Sequence, residues 1–128
     1  MRTPQDWTEV ACLTAERCKP PKSVLDRAMG MRPAERVAHV YPAGVRRGAI
    51  QGVRMLQSAN VRLAKEMPPT DVIRIEAWAD GIAAAVTLPP KVIFGRDLAR
   101  GISMIWKRGI ERGILFAFER AGLVKGTQ

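Results

Sequence analysis

Apolar positions recur at helical spacing along most of the chain, and the alternating pattern of a strand is nearly absent. Three proline pairs interrupt this pattern, and each marks a boundary because proline lacks the N–H that an internal helical position donates. The segments between boundaries predict helices over residues 5–18, 23–30, 33–40, 43–66, 71–87 and 95–121. The sequence therefore predicts an all-α fold, a compact bundle of about five helices built around two long ones.

Residue types that favour helix ends support several of these boundaries. Ser23 and Thr70 are candidate N-caps, and Asp71 would lie at the favourable positive end of its helix. Pro33 suits the first turn of a helix. Gly122 is expected to end the last helix.

The predicted helix 71–87 has a clear apolar stripe that should face the core. Its members are Ile75, Trp78, Ile82 and Val86. Glu76 and Asp80 lie together on another face, one turn apart. Such a pair could hold a metal ion or transfer protons, but no histidine lies nearby to complete a site. We therefore favour a solvated acidic face.

Acidic and basic residues are segregated along the sequence. Residues 41–65 carry five basic side chains and no acid, while residues 66–90 carry four acids and one arginine. Residues 91–128 carry eight basic side chains and three acids. The net charge is +9 over 128 residues, and a field of this sign attracts polyanions.

The first long helix has a basic face opposite its apolar one. At ~100° per residue, a basic strip of three side chains spans only about 20° of the helix surface. The strip consists of Arg47, Arg54 and Lys65, and Arg62 borders it. No acid within the segment can neutralise this face by i, i+4 pairing. The candidate nucleic-acid-binding residues here are Arg46, Arg47, Arg54, Arg62 and Lys65.

The second long helix repeats this arrangement. Arg96, Arg100 and Lys107 share a strip about 40° wide, and Arg108 completes the candidate set. Toward its end the helix becomes apolar on every side, which requires burial in the domain or in a partner. Ile114, Phe116 and Phe118 are the candidate interface residues. Burial inside the domain is the other interpretation.

Glycines recur every four residues in both long helices. Each costs up to ~1 kcal/mol relative to alanine, and small residues at this spacing let another backbone approach closely. We therefore expect tight helix–helix packing. Alternatively, the bare backbone at Gly44 and Gly48 approaches a phosphate beside Arg46 and Arg47. The glycines are Gly44, Gly48, Gly52, Gly109 and Gly113.

The sequence offers no complete catalytic or metal-binding constellation. His39 is the single histidine, and Glu35 one turn before it is the nearest possible partner. Cys12 and Cys18 would lie on different helix faces and are expected to be two buried thiols. We therefore expect a protein that is not an enzyme and uses no cofactor and no metal.

The chain is expected to form one domain, residues 1–128, in the cytoplasm. A chain of this length can bury a real core. No apolar run reaches the ~18 residues of a membrane span. The first residues also lack the apolar stretch of a signal peptide.

Two fragments resemble helix-turn-helix regulators. Residues 98–103, Leu-Ala-Arg-Gly-Ile-Ser, are similar to the first helix and turn of bacterial regulators. Residues 118–124, Phe-Glu-Arg-Ala-Gly-Leu-Val, resemble the end of a recognition helix in winged-helix regulators. The resemblance implies a DNA-binding transcription regulator.

The leading hypothesis is a non-enzymatic subunit of a larger nucleoprotein complex that binds an RNA or DNA backbone. Lysines and arginines placed on helices would neutralise phosphates without reading sequence. In size, charge and helicity the chain resembles small helical subunits of RNA-guided effector complexes. Its expected partners are nucleic acid and either protein subunits or further copies of itself. The alternatives are the transcription regulator and a phage or plasmid protein-interaction factor.

Overall fold

Five α-helices make up the part of the chain that the computed structural model describes, residues 6–59, 72–89 and 95–124. These residues contain no strand, so the predicted all-α bundle around two long helices is confirmed. None of the five helices has the length and apolar content needed to span a lipid bilayer. The helices are α1 (Trp7–Glu16), α2 (Lys22–Met29), α3 (Pro33–Ala59), α4 (Val72–Ala85) and α5 (Leu98–Arg120).

Both ends of α5 are fixed by hydrogen bonds that its sequence encodes. The Asp97 carboxylate accepts from the backbone N–H of Arg100 at 3.0 Å and caps the first turn. Gly122 has a positive φ of 81°, and the Leu123 N–H donates to the Phe118 carbonyl at 2.9 Å. This is a Schellman ending, which favours glycine at the left-handed position. The predicted end at Gly122 is confirmed.

The predicted cap at Ser23 is wrong. Helix α2 begins at Lys22, and Pro21 occupies the N-cap position without a side-chain hydrogen bond. Proline presets φ for a helix start, so Ser23 is drawn into the first turn. The predicted cap Thr70 and the predicted first-turn acid Asp71 lie outside the described residues.

Helix α3 runs without a break through Pro42, where two separate helices, 33–40 and 43–66, were expected. An internal proline costs ~3 kcal/mol because it removes one hydrogen bond and crowds the preceding turn. Val40 and Val45 are both fully buried, and burying one such side chain contributes about 1.5–3 kcal/mol. Tertiary packing on both sides of Pro42 therefore offsets its local cost.

Helices α3 and α5 pack backbone against backbone at their glycines. A Cβ atom added to Gly44 would lie 2.7 Å from the carbonyl oxygen of Trp106. One added to Gly109 would lie 2.6 Å from the carbonyl oxygen of Tyr41. The glycine spacing therefore serves close helix packing, as the sequence predicted.

The two long helices run parallel. Gly44 faces Gly109, and two turns further along Gly52 faces Ala117. Helix α4 runs antiparallel to α3, because Asp80 pairs with Arg46 while the earlier Ile75 lines a groove that extends along α3 to the later Gln57. Helix α3 thus contacts α5 along one side and α4 along another.

Helix α4 uses its predicted apolar stripe only in part. Ile75 is buried, and Trp78, Ile82 and Val86 pack half-buried against the core. Helix α1 packs against α5, where the Trp7 and Phe118 rings meet edge to face with their centroids 5.2 Å apart.

Candidate nucleic-acid interface

Arg47 and Arg54 project from α3 on a side that does not face α5. Both side chains are exposed, while Val45, Ala49 and Leu56 are buried on the packing side. The two arginines lie seven residues apart, about 10 Å along the axis at 1.5 Å per residue. They can therefore contact two different phosphates. Arg62 and Lys65 lie outside the described residues.

Arg46 forms an ion pair with an acidic residue that is distant in sequence. Its Nε donates to the Asp80 carboxylate at 2.6 Å, and the pair joins α3 to α4. The two side chains are 38% and 62% exposed, so the pair contributes under ~1 kcal/mol to stability. Its main effect is to remove Arg46 from the freely available cations.

A groove between α3 and α4, called here the arginine groove, is lined by Arg47 and Arg54 from α3 and by Glu76 from α4. Its volume is about 130 Å³, well below the ~300–1,000 Å³ of sites that enclose a whole small molecule. The groove can therefore hold a segment of a larger ligand. Its lining residues are Arg46, Arg47, Ile50, Arg54, Gln57, Ile75 and Glu76.

Glu76 and Gln57 belong to this site, and reasoning from the sequence missed both. Glu76 and Asp80 are exposed, as predicted for a solvated face of α4, but both also border arginines of α3. Asp80 pairs with Arg46, and Glu76 lines the arginine groove. A signal was present in the order of the segments. A basic helix followed directly by an acidic one predicts antiparallel neighbours with opposite charges in contact.

The four candidate basic residues of the second long helix lie just before α5, in its first turn and in its middle. Arg96, Arg100 and Arg108 are exposed, and Lys107 is half-buried. The acid among them, Asp97, is engaged in capping the helix. No ion pair joins any of these four cations to an acid in the part of the chain that the structure describes.

The basic strip of α3, which is Arg47 and Arg54 among the described residues, and the basic strip of α5 lie on the same side of the packed α3 and α5 helices. On α3, Arg47 and Arg54 are rotated about 130° from the direction that faces α5, at ~100° per residue. On α5, Arg100 and Lys107 are rotated about 90° in the opposite sense from the direction that faces α3. Opposite rotations on parallel neighbours lead to the same side. Along the axis, Arg100 and Arg47 are offset by about 18 Å.

The apolar end of α5 is mostly core, which corrects the interface assignment. Ile114 and Phe118 are fully buried within this chain and cannot reach a partner. Close packing of α3 on α5 and of Trp7 on Phe118 accounts for this burial. Phe116 is half-buried, and the Arg112 guanidinium lies 4.1 Å from its ring centroid.

Phe116 borders a second, apolar groove between α4 and α5. The groove has a volume of about 450 Å³. Gly81 in its wall has open space around the position of a Cβ atom, unlike the glycines between α3 and α5. The groove is lined by Ala77, Trp78, Gly81, Ile82, Ala85 and Phe116.

Two alternatives from the sequence do not fit this geometry. The backbone at Gly44 and Gly48 is covered by Trp106 and Ile110, so no phosphate can approach it. The two fragments that resemble helix-turn-helix regulators lie at opposite ends of one continuous helix, α5. Residues 98–103 are followed by further helix and not by a turn, so these fragments do not form the motif.

The other reactive side chains are scattered. His39 is half-buried, and its Nε2 atom has no hydrogen-bond partner among the described residues. Cys12 and Cys18 are free and only half-buried, where buried thiols were expected. The Glu111 carboxylate raises the pKa of the Cys12 thiol, which disfavours the reactive thiolate. The described residues contain no cluster of three metal-ligating side chains.

This chain matches no protein-family model, no curated protein and no solved structure. The functional assignment therefore rests on the geometry and charge of the two basic strips and the arginine groove.

Proposed function

We propose that this protein binds the sugar–phosphate backbone of a nucleic acid without catalysing a reaction. Arg47 and Arg54 at the arginine groove and the α5 strip of Arg96, Arg100 and Lys107 contact the phosphates. Each contact displaces a condensed counterion, so binding is salt-dependent and independent of sequence.

The observation that carries this proposal is that Arg47 and Arg54 are exposed and are not neutralised by an acid among the described residues. Both are exposed, and neither has an ion pair with an acid among the described residues. Asp80 is nearby, but it is engaged by Arg46. An exposed pair of cations beside a polar groove, on the same side as the α5 strip, is suited to a chain of phosphates.

Base recognition is not part of the proposed mode of binding. None of the described residues that line the arginine groove is aromatic, and aromatic side chains are the usual platforms for stacking bases. The guanidinium groups can instead form paired hydrogen bonds to phosphate oxygens. We therefore expect equal affinity for different base sequences.

A second surface supports a role as a subunit of a larger nucleoprotein complex. The apolar groove at Phe116 and Trp78 is separate from the arginine groove and offers a place for another protein. If the apolar groove alone carries the function, the chain is a protein-interaction factor. That second candidate predicts no nucleic-acid binding.

One binding panel tests the proposal. Random single-stranded RNA, single-stranded DNA and duplex DNA are titrated with the protein at two salt concentrations, and the oligomeric state is measured alongside. We expect binding to at least one polymer, with affinity that falls steeply as salt rises and does not depend on base sequence. Absence of binding to all three at the lower salt would contradict the proposal and favour the protein-interaction factor.

A further inference from the structure

Two arginines and one glutamate line the arginine groove without forming ion pairs to one another among the described residues. Arg47 and Arg54 from α3 and Glu76 from α4 border the same space of about 130 Å³. No ion pair connects Glu76 to either arginine within the described residues, whereas the adjacent Arg46 and Asp80 are in direct contact. The groove therefore presents guanidinium donors and a carboxylate acceptor to one ligand.

A phosphate alone would complement the two arginines of the groove but not the Glu76 carboxylate. The guanidinium groups attract its oxygens, but the Glu76 carboxylate repels a second oxyanion and offers only hydrogen-bond acceptors. A ligand that uses both halves must carry an anionic group and, close to it, a hydroxyl or amino donor. RNA meets this requirement in every repeat, because its 2′-hydroxyl can donate a hydrogen bond next to a phosphate. DNA lacks that donor.

We propose that the arginine groove selects RNA over DNA, with Glu76 accepting a hydrogen bond from a ribose 2′-hydroxyl while Arg47 and Arg54 hold the neighbouring phosphates. This inference rests on the proposed backbone binding. Glu76 acts chiefly against the wrong ligand, because its charge weakens the binding of any strand that cannot donate to it. Selection between sugars therefore needs no contact with the bases.

The groove also has dimensions that suit this role. It is too small to enclose a complete nucleotide with its base, and its polar side chains are placed along the contact of two antiparallel helices. A strand can therefore lay its sugar–phosphate edge into the groove while its bases remain outside. Gln57 supplies a further amide group on the same wall.

The test compares three single strands of identical base order, made of ribose, deoxyribose and 2′-O-methylribose. The methylated sugar keeps its oxygen but cannot donate a hydrogen bond. We expect the parent protein to bind RNA about tenfold more tightly than either other strand, as one hydrogen bond to a charged group provides. In Glu76→Ala the three affinities should converge to within about twofold, mainly because binding of DNA improves.

Glu35→Ala is the matched control. Glu35 is exposed in the first turn of α3. Its substitution removes the same negative charge at a position that does not line the arginine groove. We expect this variant to retain the full preference for RNA. Both substitutions are at exposed positions, so circular dichroism should show unchanged helix content in each.

The possible outcomes separate this inference from the proposed function. Equal binding of all three strands by the parent protein overturns the role of Glu76 and leaves backbone binding intact. A preference for RNA that survives in Glu76→Ala also overturns it, because the selection would then lie elsewhere. Failure to bind any strand contradicts the proposed function itself.

Discussion

Arg46 on α3 and Asp80 on α4 form an ion pair, with 2.6 Å between the guanidinium Nε and the carboxylate oxygen. The pair connects a basic segment to an acidic one that lies 34 residues further along the chain. It leaves Arg47 and Arg54 as the exposed cations of α3 among the described residues. The charge that the sequence spreads along one helix is thereby restricted to one side of it.

Removal of Asp80 should release Arg46 for binding. We expect Asp80→Asn to change the free energy of unfolding by less than ~1 kcal/mol, because the pair is exposed. Affinity for nucleic acid should rise, and the slope of log affinity against log salt should steepen by about 0.7–0.9. Asp26→Asn, at an exposed site on α2, is the control. An unchanged slope in Asp80→Asn would show that Arg46 does not reach a phosphate.

The packing of α3 on α5 should not tolerate a side chain at its glycines. In Gly48→Ala the new methyl group meets the backbone of Ile110, which cannot move aside as a side chain could. We expect a loss of at least about 2 kcal/mol, since overpacking costs roughly 1–3 kcal/mol even among side chains. Urea unfolding measures the difference.

Gly81→Ala is the matched control for that substitution. Gly81 also lies inside a helix, but among the described residues no atom outside its own stretch of helix lies within 4 Å of the position of its missing Cβ atom. Alanine should therefore stabilise the protein by up to ~1 kcal/mol through helix propensity alone. Equal effects of the two substitutions would contradict the close contact between α3 and α5.

Two neighbouring phenylalanines should differ in their contribution to stability. Phe118 is fully buried against Trp7, so Phe118→Ala should cost ~3–5 kcal/mol. Phe116 is half-buried at the apolar groove, and Phe116→Ala should cost less than half as much. Chemical denaturation of both variants tests this order. A larger loss for Phe116 would place it, and not Phe118, in the core.

The single tyrosine reports on the core near α5. Burial raises the pKa of Tyr41 above its ordinary value near 10, and the nearby Arg112 and Arg108 oppose this shift only in part. The stabilising effect of the neutral phenol is therefore complete below pH ~10 and is lost as pH rises through the folded pKa. Absorbance at 295 nm should give a midpoint above 10 in the folded protein and near 10 in denaturant. Identical midpoints would mean that Tyr41 is solvated.

Local patterns predicted most of the fold. The apolar periodicity located all five helices, and the glycine spacing anticipated the close packing of α3 and α5. The continuity of α3 through Pro42 could not be predicted, because the burial of Val40 and Val45 outweighs a local penalty. Such a balance depends on contacts between segments distant in sequence.

The site was less predictable than the fold. Helical spacing predicted that Arg47 and Arg54 share one face of the helix, and both side chains are exposed. It could not reveal that Asp80 neutralises Arg46 or that Glu76 enters the same groove, because both acids come from the next helix. The distinction between Phe116 and Phe118 likewise depends on what packs against each ring.

The salt dependence of binding by strip variants tests the central claim most directly. We compare the parent with Arg47→Ala/Arg54→Ala, with Arg96→Ala/Arg100→Ala and with the control Arg17→Ala/Arg27→Ala. The control changes the same charge at exposed sites on the edge of α1 and on α2. Stability should be nearly unchanged in all three, because exposed charges contribute under ~1 kcal/mol each.

Each strip variant should lose affinity for every sequence alike, and its log–log salt slope should flatten by about 1.4–1.8, the value for two lost phosphate contacts. The control variant should keep a slope close to that of the parent. If both strip variants bind with the affinity and slope of the parent, these side chains do not contact phosphates and the account of a nucleic-acid-binding protein is wrong.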